Sequence, residues 1–178
     1  MEQDWERILS THGPAVWRIV RCLVGHETDA RDCYQSVFLD ALQLSKRQSV
    51  DDWERLLHRL ARCRALDLLR KKYRLAAKID GDTDPHGAFS PLPGPEEEVE
   101  AAELAEHLRV CLGLLPPQQA EVFVMRFVEQ LGYDEIASRI GSNRNAVGAV
   151  LNRARNQLRQ YLEEKDRATV NNKRKPHE

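Results

Sequence analysis

The sequence is short of the residues that build β-structure and of those that build cross-links. Aromatic residues make up 6% of the 178 positions and glycine occurs 9 times, too few for a barrel or sandwich of aromatic and β-branched strands joined by glycine turns. The 4 cysteines, Cys22, Cys33, Cys63 and Cys111, have no Cys-x-x-Cys spacing and no histidine at zinc-like spacing. Neither a metal site nor a disulfide framework is expected, and buried reduced thiols are the default reading. There is no Gly-rich phosphate loop, no metal cluster and no nucleophile set beside a base, so the sequence offers no catalytic residue and no cofactor, which argues against an enzyme. Long apolar runs are lacking too. The start, Met1-Glu-Gln-Asp, is acidic, and Arg18 and Arg21 interrupt the most apolar early stretch. No signal peptide or membrane insertion is expected, and the chain reads as soluble and cytoplasmic.

What is present is charge, in nearly equal amounts: Lys+Arg 27 against Asp+Glu 28, a net charge of -1. That sum hides segregated blocks. Residues 1–75 carry 14 basic and 11 acidic side chains, residues 76–103 carry 1 and 8, and residues 104–178 carry 12 and 9. Two mildly basic units flank one acidic segment. Between 76 and 98 lie four of the 8 prolines and three of the 9 glycines, without a helical apolar period, which marks a flexible linker. As a coil it would average roughly 25 Å end to end and reach about 70 Å when stretched. Residues 166–178 read as a polar tail ending near a basic Lys173-Arg174-Lys175 patch.

The first unit, 1–75, reads as three or four helices. Pro14 after Gly13 suits a first helical position, followed by an apolar face of Val16, Trp17, Ile19, Val20, Leu23 and Val24. From Thr28, a plausible N-cap, Ala30, Cys33, Tyr34, Val37, Phe38, Ala41 and Leu42 repeat at steps of three and four. The opposite face carries Asp29, Asp32, Ser36, Asp40 and Gln43. A third helix starts near Asp51 or Asp52 and buries Trp53, Leu56, Leu57, Leu60, Ala61, Leu68 and Leu69. Its outer side is assigned Arg55, Arg59, Arg62, Arg64, Arg70, Lys71, Lys72 and Arg74. An acidic and a basic face on one small unit can be plain solvated surface, but a solvated surface usually mixes signs, so the segregation weighs against that reading.

The second unit, 99–165, begins with a helix bearing Leu104, Leu108 and Cys111 or Leu112, then Leu114-Leu115-Pro116-Pro117, where proline opens the next helix and leucine staples it. That helix runs to about Phe127 or Val128. The segment Glu135 to Arg155, EIASRIGSNRNAVGAVLNRAR, has the organisation of a helix-turn-helix. Ala137 is small where two helices approach, Gly141 permits the positive φ of the turn, and Val147 anchors the second helix in the core. Asn143 is its N-cap, and Val147, Val150, Leu151, Ala154 and Leu158 form one apolar stripe. Arg144, Asn145, Gly148, Asn152, Arg153 and Arg155 are left outside. Arginine and asparagine carry donors that reach base edges and phosphates, and no acid is among them.

Together these segments resemble the bacterial sigma factors of the extracytoplasmic-function class, which carry conserved regions two and four only. TDARDCYQSVFLDAL (Thr28 to Leu42) is similar to the region two motif, and WERLLHRLARCRALDLLRKK (Trp53 to Lys72) to the stretch that follows it. Leu115 to Leu158 is similar to region four. The resemblance implies an all-α chain of two small helical domains on a flexible acidic linker. Its partners would be RNA polymerase core, promoter DNA and a possible anti-sigma factor, with core bound through the clamp helices of the largest subunit and the flap. It further implies that Asp29, Asp32, Gln35, Ser36 and Asp40 dock on polymerase, with Phe38 in the core. Lys46, Arg47 and Gln48, with Arg55, Arg59, Arg62, Arg70, Lys71 and Lys72, would hold the opened minus-ten strand, which needs a cationic track and a pocket for an unstacked base. Asn143, Arg144, Asn145, Gly148, Asn152, Arg153 and Arg155 would bind the minus-thirty-five duplex. Four positions depart from the family pattern: Cys63 stands at a usual Asn, Leu56 at a usual Trp, and Gly148 and Val150 where Lys or Arg is common. The alternative is a stand-alone helix-turn-helix regulator that needs no polymerase.

Overall fold

The computed structural model describes the backbone of residues 4–79 and 96–172 and the side chains of 4–73 and 101–163. The described residues form seven helices and no strand: α1 (Trp5–Val24), α2 (Glu27–Ser45), α3 (Trp53–Ile79), α4 (Glu96–Leu114), α5 (Pro117–Phe127), α6 (Tyr133–Ile140) and α7 (Arg144–Asn172). The chain divides into two compact units, Met1–Ile79 and Asp80–Glu178. Most of the linker, residues 80–95, lies outside the described residues, as does the Lys173-Arg174-Lys175 patch. The flanking helices reach into both stretches. α3 continues through Ile79, α4 opens at Glu96, and α7 runs to Asn172 beyond the expected start of the tail. Ala76, Ala77, Glu96 to Glu98 and Glu163 to Ala168 are mostly good helix formers, so a missing apolar face does not stop the backbone there.

In the first unit α1, α2 and α3 pack pairwise into a three-helix bundle. α1 starts earlier than Pro14 suggests: Asp4 caps it, accepting the Arg7 N–H at 3.0 Å, and Pro14 sits inside the helix. Gly13 has a steric reason. A Cβ there would lie 2.7 Å from the Tyr34 hydroxyl, so glycine leaves room for the Tyr34 side chain of α2 against α1. Tyr34 packs edge-on against Trp17 at 5.8 Å and against Phe38 at 4.9 Å. α2 begins at Glu27 after His26, so Thr28 is not its cap. The start of α3 is as expected, with Asp52 Oδ1 accepting the Arg55 N–H at 2.8 Å. Because α3 packs on both neighbours, its buried arc is wide: Ala65, Leu66 and Tyr73 join Leu57, Ala61 and Leu69, and the arc takes in His58 and Arg62.

The second unit is built on α7, which contacts α4, α5 and α6. Pro117 opens α5 and the adjacent Leu115 is buried. Leu104, expected on the inner face of α4, is 61% exposed, whereas Val110, Cys111 and Leu112 are buried. Val122, Met125, Ile136, Ala137, Val147, Val150 and Leu151 form the core around the helix-turn-helix. Gly141 adopts φ 65, the left-handed conformation that ends α6, and its N–H returns to the Ala137 carbonyl. Asn143 Oδ1 then accepts the Ala146 N–H at 2.9 Å and starts α7. Arg139 braces α6 through Glu129, whose side chain is 1% exposed, and Glu135.

Two of the four cysteines depart from the buried-thiol expectation. Cys33 and Cys111 are buried, while Cys22 and Cys63 are exposed. Burial pushes the Cys33 thiol up to about 11, against a smaller opposing effect of Arg64. A neutral thiol attacks poorly. Alkylation of the native protein at pH 8 should therefore modify Cys22 and Cys63 and reach Cys33 and Cys111 only on unfolding, as mass spectrometry of labelled peptides would report.

The two glycines of the helix-turn-helix should respond oppositely to alanine. Gly141→Ala places a side chain at positive φ and should lower stability by about 1 kcal/mol. Gly148→Ala meets only Tyr133 Cε1, at an ordinary 3.9 Å, and should raise stability by about 0.5–1 kcal/mol. Thermal melting of the two variants checks both signs.

Candidate nucleic-acid interface

The first unit carries two charged surfaces. On α2, Asp32 and Gln35 are exposed, and Asp29 and Ser36 are half-buried, with the Ser36 hydroxyl donating to the Asp32 carbonyl at 2.9 Å. Asp40 is engaged internally: its Oδ2 accepts from Arg64 Nε at 2.5 Å, tying α2 to α3. That hydrogen bond and the Asp40 charge hold the Arg64 proton more tightly than usual. Phe38 is not in the core. With Trp5, Leu9, Gln35, Leu39 and Leu42 it lines an apolar groove of about 450 Å³, where Leu9 is 42% and Leu39 57% exposed. The groove went unnoticed in the sequence because its walls come from two helices, and neither helix alone shows an unusual apolar run.

The second surface begins with the exposed Lys46, Arg47 and Gln48 in the α2–α3 loop and continues with exposed Arg55, Arg59, Lys71 and Lys72 on α3. Arg62 does not belong to it. At 2% exposure it lies in the interior of the bundle, because the arc covered by α1 and α2 is wider than the apolar stripe suggests. Arg70 is half-buried and pairs with Asp67 at 2.8 Å. The Arg74 side chain is outside the described residues.

In the second unit the residues at the head of α7 take distinct roles. Asn143 is committed to the cap. Asn145, Asn152 and Arg153 are exposed, and helical spacing places Asn145 and Asn152 on one ridge. Gly148 is half-buried beside Tyr133, and Val150 is buried in the core, so neither position offers the cation common in the family. Arg144 Nη1 donates to Asp134 Oδ2 at 2.6 Å, and its guanidinium lies 5.5 Å from the Tyr133 ring centre. Arg155 stacks on Phe127 at 5.3 Å. Tyr133, Asp134 and Phe127 escaped the sequence reading. An aromatic opening the first helix of a helix-turn-helix is the signal that could have found the first two, because arginine stems and guanidinium groups settle on such rings.

Each unit thus presents exposed hydrogen-bond donors on its own helices, and no group of residues that could hold a metal ion occurs among the described residues. Arg59 and Arg62 should separate by assay. Arg59→Ala should leave melting unchanged and reduce the salt dependence of single-strand binding by about 0.7 in log–log slope, the share of one phosphate contact. Arg62→Ala should lower stability by about 1–3 kcal/mol, the cost of disrupting a buried polar side chain and its packing.

Comparison with known proteins matches this architecture unit by unit. Residues 8–75 match sigma-70 region 2 and residues 105–158 match sigma-70 region 4. A probable RNA polymerase sigma factor of Haemophilus influenzae is 30% identical over 76% of this chain and 78% of its own length. The extracytoplasmic-function sigma factor SigE of Mycolicibacterium smegmatis is 29% identical over 89% of this chain, and the match spans 62% of that relative's length. Among solved structures, the sigma factor RpoE of Bartonella quintana, crystallised with the anti-sigma factor NepR, shares the fold. Its TM-score is 0.54 at 19% identity, covering 91% of this chain and 98% of that one. The chain therefore belongs to the sigma-70 family of RNA polymerase sigma factors, in the extracytoplasmic-function class built on regions 2 and 4.

Proposed function

We propose that this protein directs RNA polymerase core to specific promoters and assists their melting, as a specificity subunit without catalytic chemistry of its own. The observation that carries this reading is the pairing, in one chain, of a helix-turn-helix headed by exposed Asn and Arg with a bundle whose α2 is acidic and whose α3 is basic. Asp29, Asp32, Gln35 and Ser36 form the polymerase-docking face, and the apolar groove beside Gln35 extends it. Lys46, Arg47, Gln48, Arg55, Arg59, Lys71 and Lys72 hold the separated minus-ten strand, with Arg70 at its margin. Arg144, Asn145, Asn152, Arg153 and Arg155 face the minus-thirty-five duplex, shaped by Asn143 and Gly148. The boundaries 1–75 and 99–165 serve as the two functional domains, and the segment between them, with 1 basic and 6 acidic side chains in residues 76–98, is repelled by duplex phosphates and so avoids the promoter. A relative's co-crystallisation with an anti-sigma factor supports a partner of that class here. Work with polymerase places the protein in the cytoplasm, and no helix among the described residues is long and apolar enough to cross a membrane.

The decisive experiment is transcription in vitro by purified core plus this protein over a random promoter library. Enriched templates should share two elements, one for each unit. Asp32→Arg should abolish core capture and transcription while leaving the thermal melting of the bundle unchanged, because Asp32 is exposed. Absence of transcript from every template would sink the proposal, and binding of duplex DNA by a protein that captures no core would favour a stand-alone regulator.

A further inference from the structure

Arg144 is the first residue of α7, where the helix dipole opposes a cation. Its ion pair with Asp134 is exposed on both sides, 64% and 76% by side chain, and pairs so open to water contribute little stability. Neither propensity nor stability accounts for this arrangement, which leaves ordering as its consequence. Asp134 engages Arg144 through Nη1, and the guanidinium also rests 5.5 Å from the Tyr133 ring centre. That ring is itself fixed. Arg126 lies 5.8 Å from its centre and donates from Nη1 to the Leu131 carbonyl at 3.1 Å, while the partly buried ring packs against the core of the helix-turn-helix. Two cations beside one ring repel each other, and the Asp134 carboxylate offsets that repulsion.

We propose that Asp134 is a specificity-determining residue acting through Arg144. With Tyr133 it holds the guanidinium in one orientation, so that the Nη2 and Nε edge is presented as a fixed fork to a guanine base in the major groove. The inference rests on the assignment of α7 as the duplex-reading helix. A phosphate can be met by an arginine in many orientations and needs no bracing. The O6 and N7 of guanine require a planar, bidentate partner, and an arginine ordered in advance loses less entropy in making it.

The test uses the full chain and a duplex carrying the upstream element enriched by transcription. Each guanine of that element is replaced in turn by 7-deazaguanine, which lacks the N7 acceptor, and binding is followed by fluorescence anisotropy. At one position the native protein should lose about tenfold in affinity, and Arg144→Ala should show no such loss. Asp134→Ala should bind the unmodified duplex within a fewfold of native yet lose most of the tenfold discrimination, and Asp134→Glu should restore part of it. Melting curves of the variants exclude misfolding. Discrimination kept in full by Asp134→Ala would overturn the proposal, including the case where all duplexes bind uniformly tighter and the carboxylate merely repels phosphate. Sensitivity at no guanine would overturn it equally. If the native protein does not prefer the enriched duplex to a scrambled one, the assignment of α7 as the reading helix fails first and the inference with it.

Discussion

A polyanion repels every carboxylate that faces it across a few ångströms of water, and an acid-rich chain that binds DNA must dispose of its acids before it can bind. With Asp+Glu 28 against Lys+Arg 27, this chain meets that constraint in three ways. Eight acids are gathered between residues 76 and 103. Others are collected on α2, where Asp29, Asp32 and Asp40 lie. Some on the surfaces proposed to face DNA are paired with an arginine: Asp67 with Arg70, Asp134 with Arg144, and Glu135 with Arg139. Asp40 is withdrawn from the acidic face in the same manner, as a strut to Arg64. Net charge is a poor guide to such a protein, because the sorting by face, and not the sum, decides what it can touch.

That sorting is possible because the fold is helical and small. Each helix buries one stripe and leaves the remainder free to carry one sign of charge. α3 carries the most stringent version of this, lying against both α1 and α2 with a wide buried arc and a narrow outer one. In the second unit Ala137, Gly141 and Val147 let α6 and α7 meet closely, so that the head of α7 stands clear with Asn145, Asn152 and Arg153 exposed. Rigid backbone positions the side chains, and Tyr133 with Asp134 extends that rigidity to a long and otherwise mobile arginine.

Most of the architecture was legible in the residues. The Asp52 and Asn143 caps, Pro117 at a helix start, Gly141 at a left-handed turn and the apolar stripe from Val147 to Leu158 all stand as the local chemistry demands. What was not legible depended on a second element. Pro14 looks like a helix start, but the Asp4 cap and the face from Ile8 onward carry the helix through it. Arg62 and Phe38 exchanged expected places, the charge inside and the ring at a groove, because burial there is set by how two neighbouring helices cover α3 and α2. Leu104 and Cys22 came out exposed, on the outer faces of α4 and α1. Of the surface assigned to nucleic acid, the exposed cations were readable from helical spacing, whereas the pairing of Arg144 with Asp134 across the turn required the fold.

In the proposed function this protein and RNA polymerase core open a promoter together, and neither suffices alone. Permanganate oxidation of unpaired thymines on an enriched promoter measures this directly. The account predicts reactive thymines in the minus-ten segment only when both the protein and core polymerase are present, with core alone and the protein alone giving the pattern of intact duplex. Equal reactivity with the protein alone, or none with the two together, would contradict it.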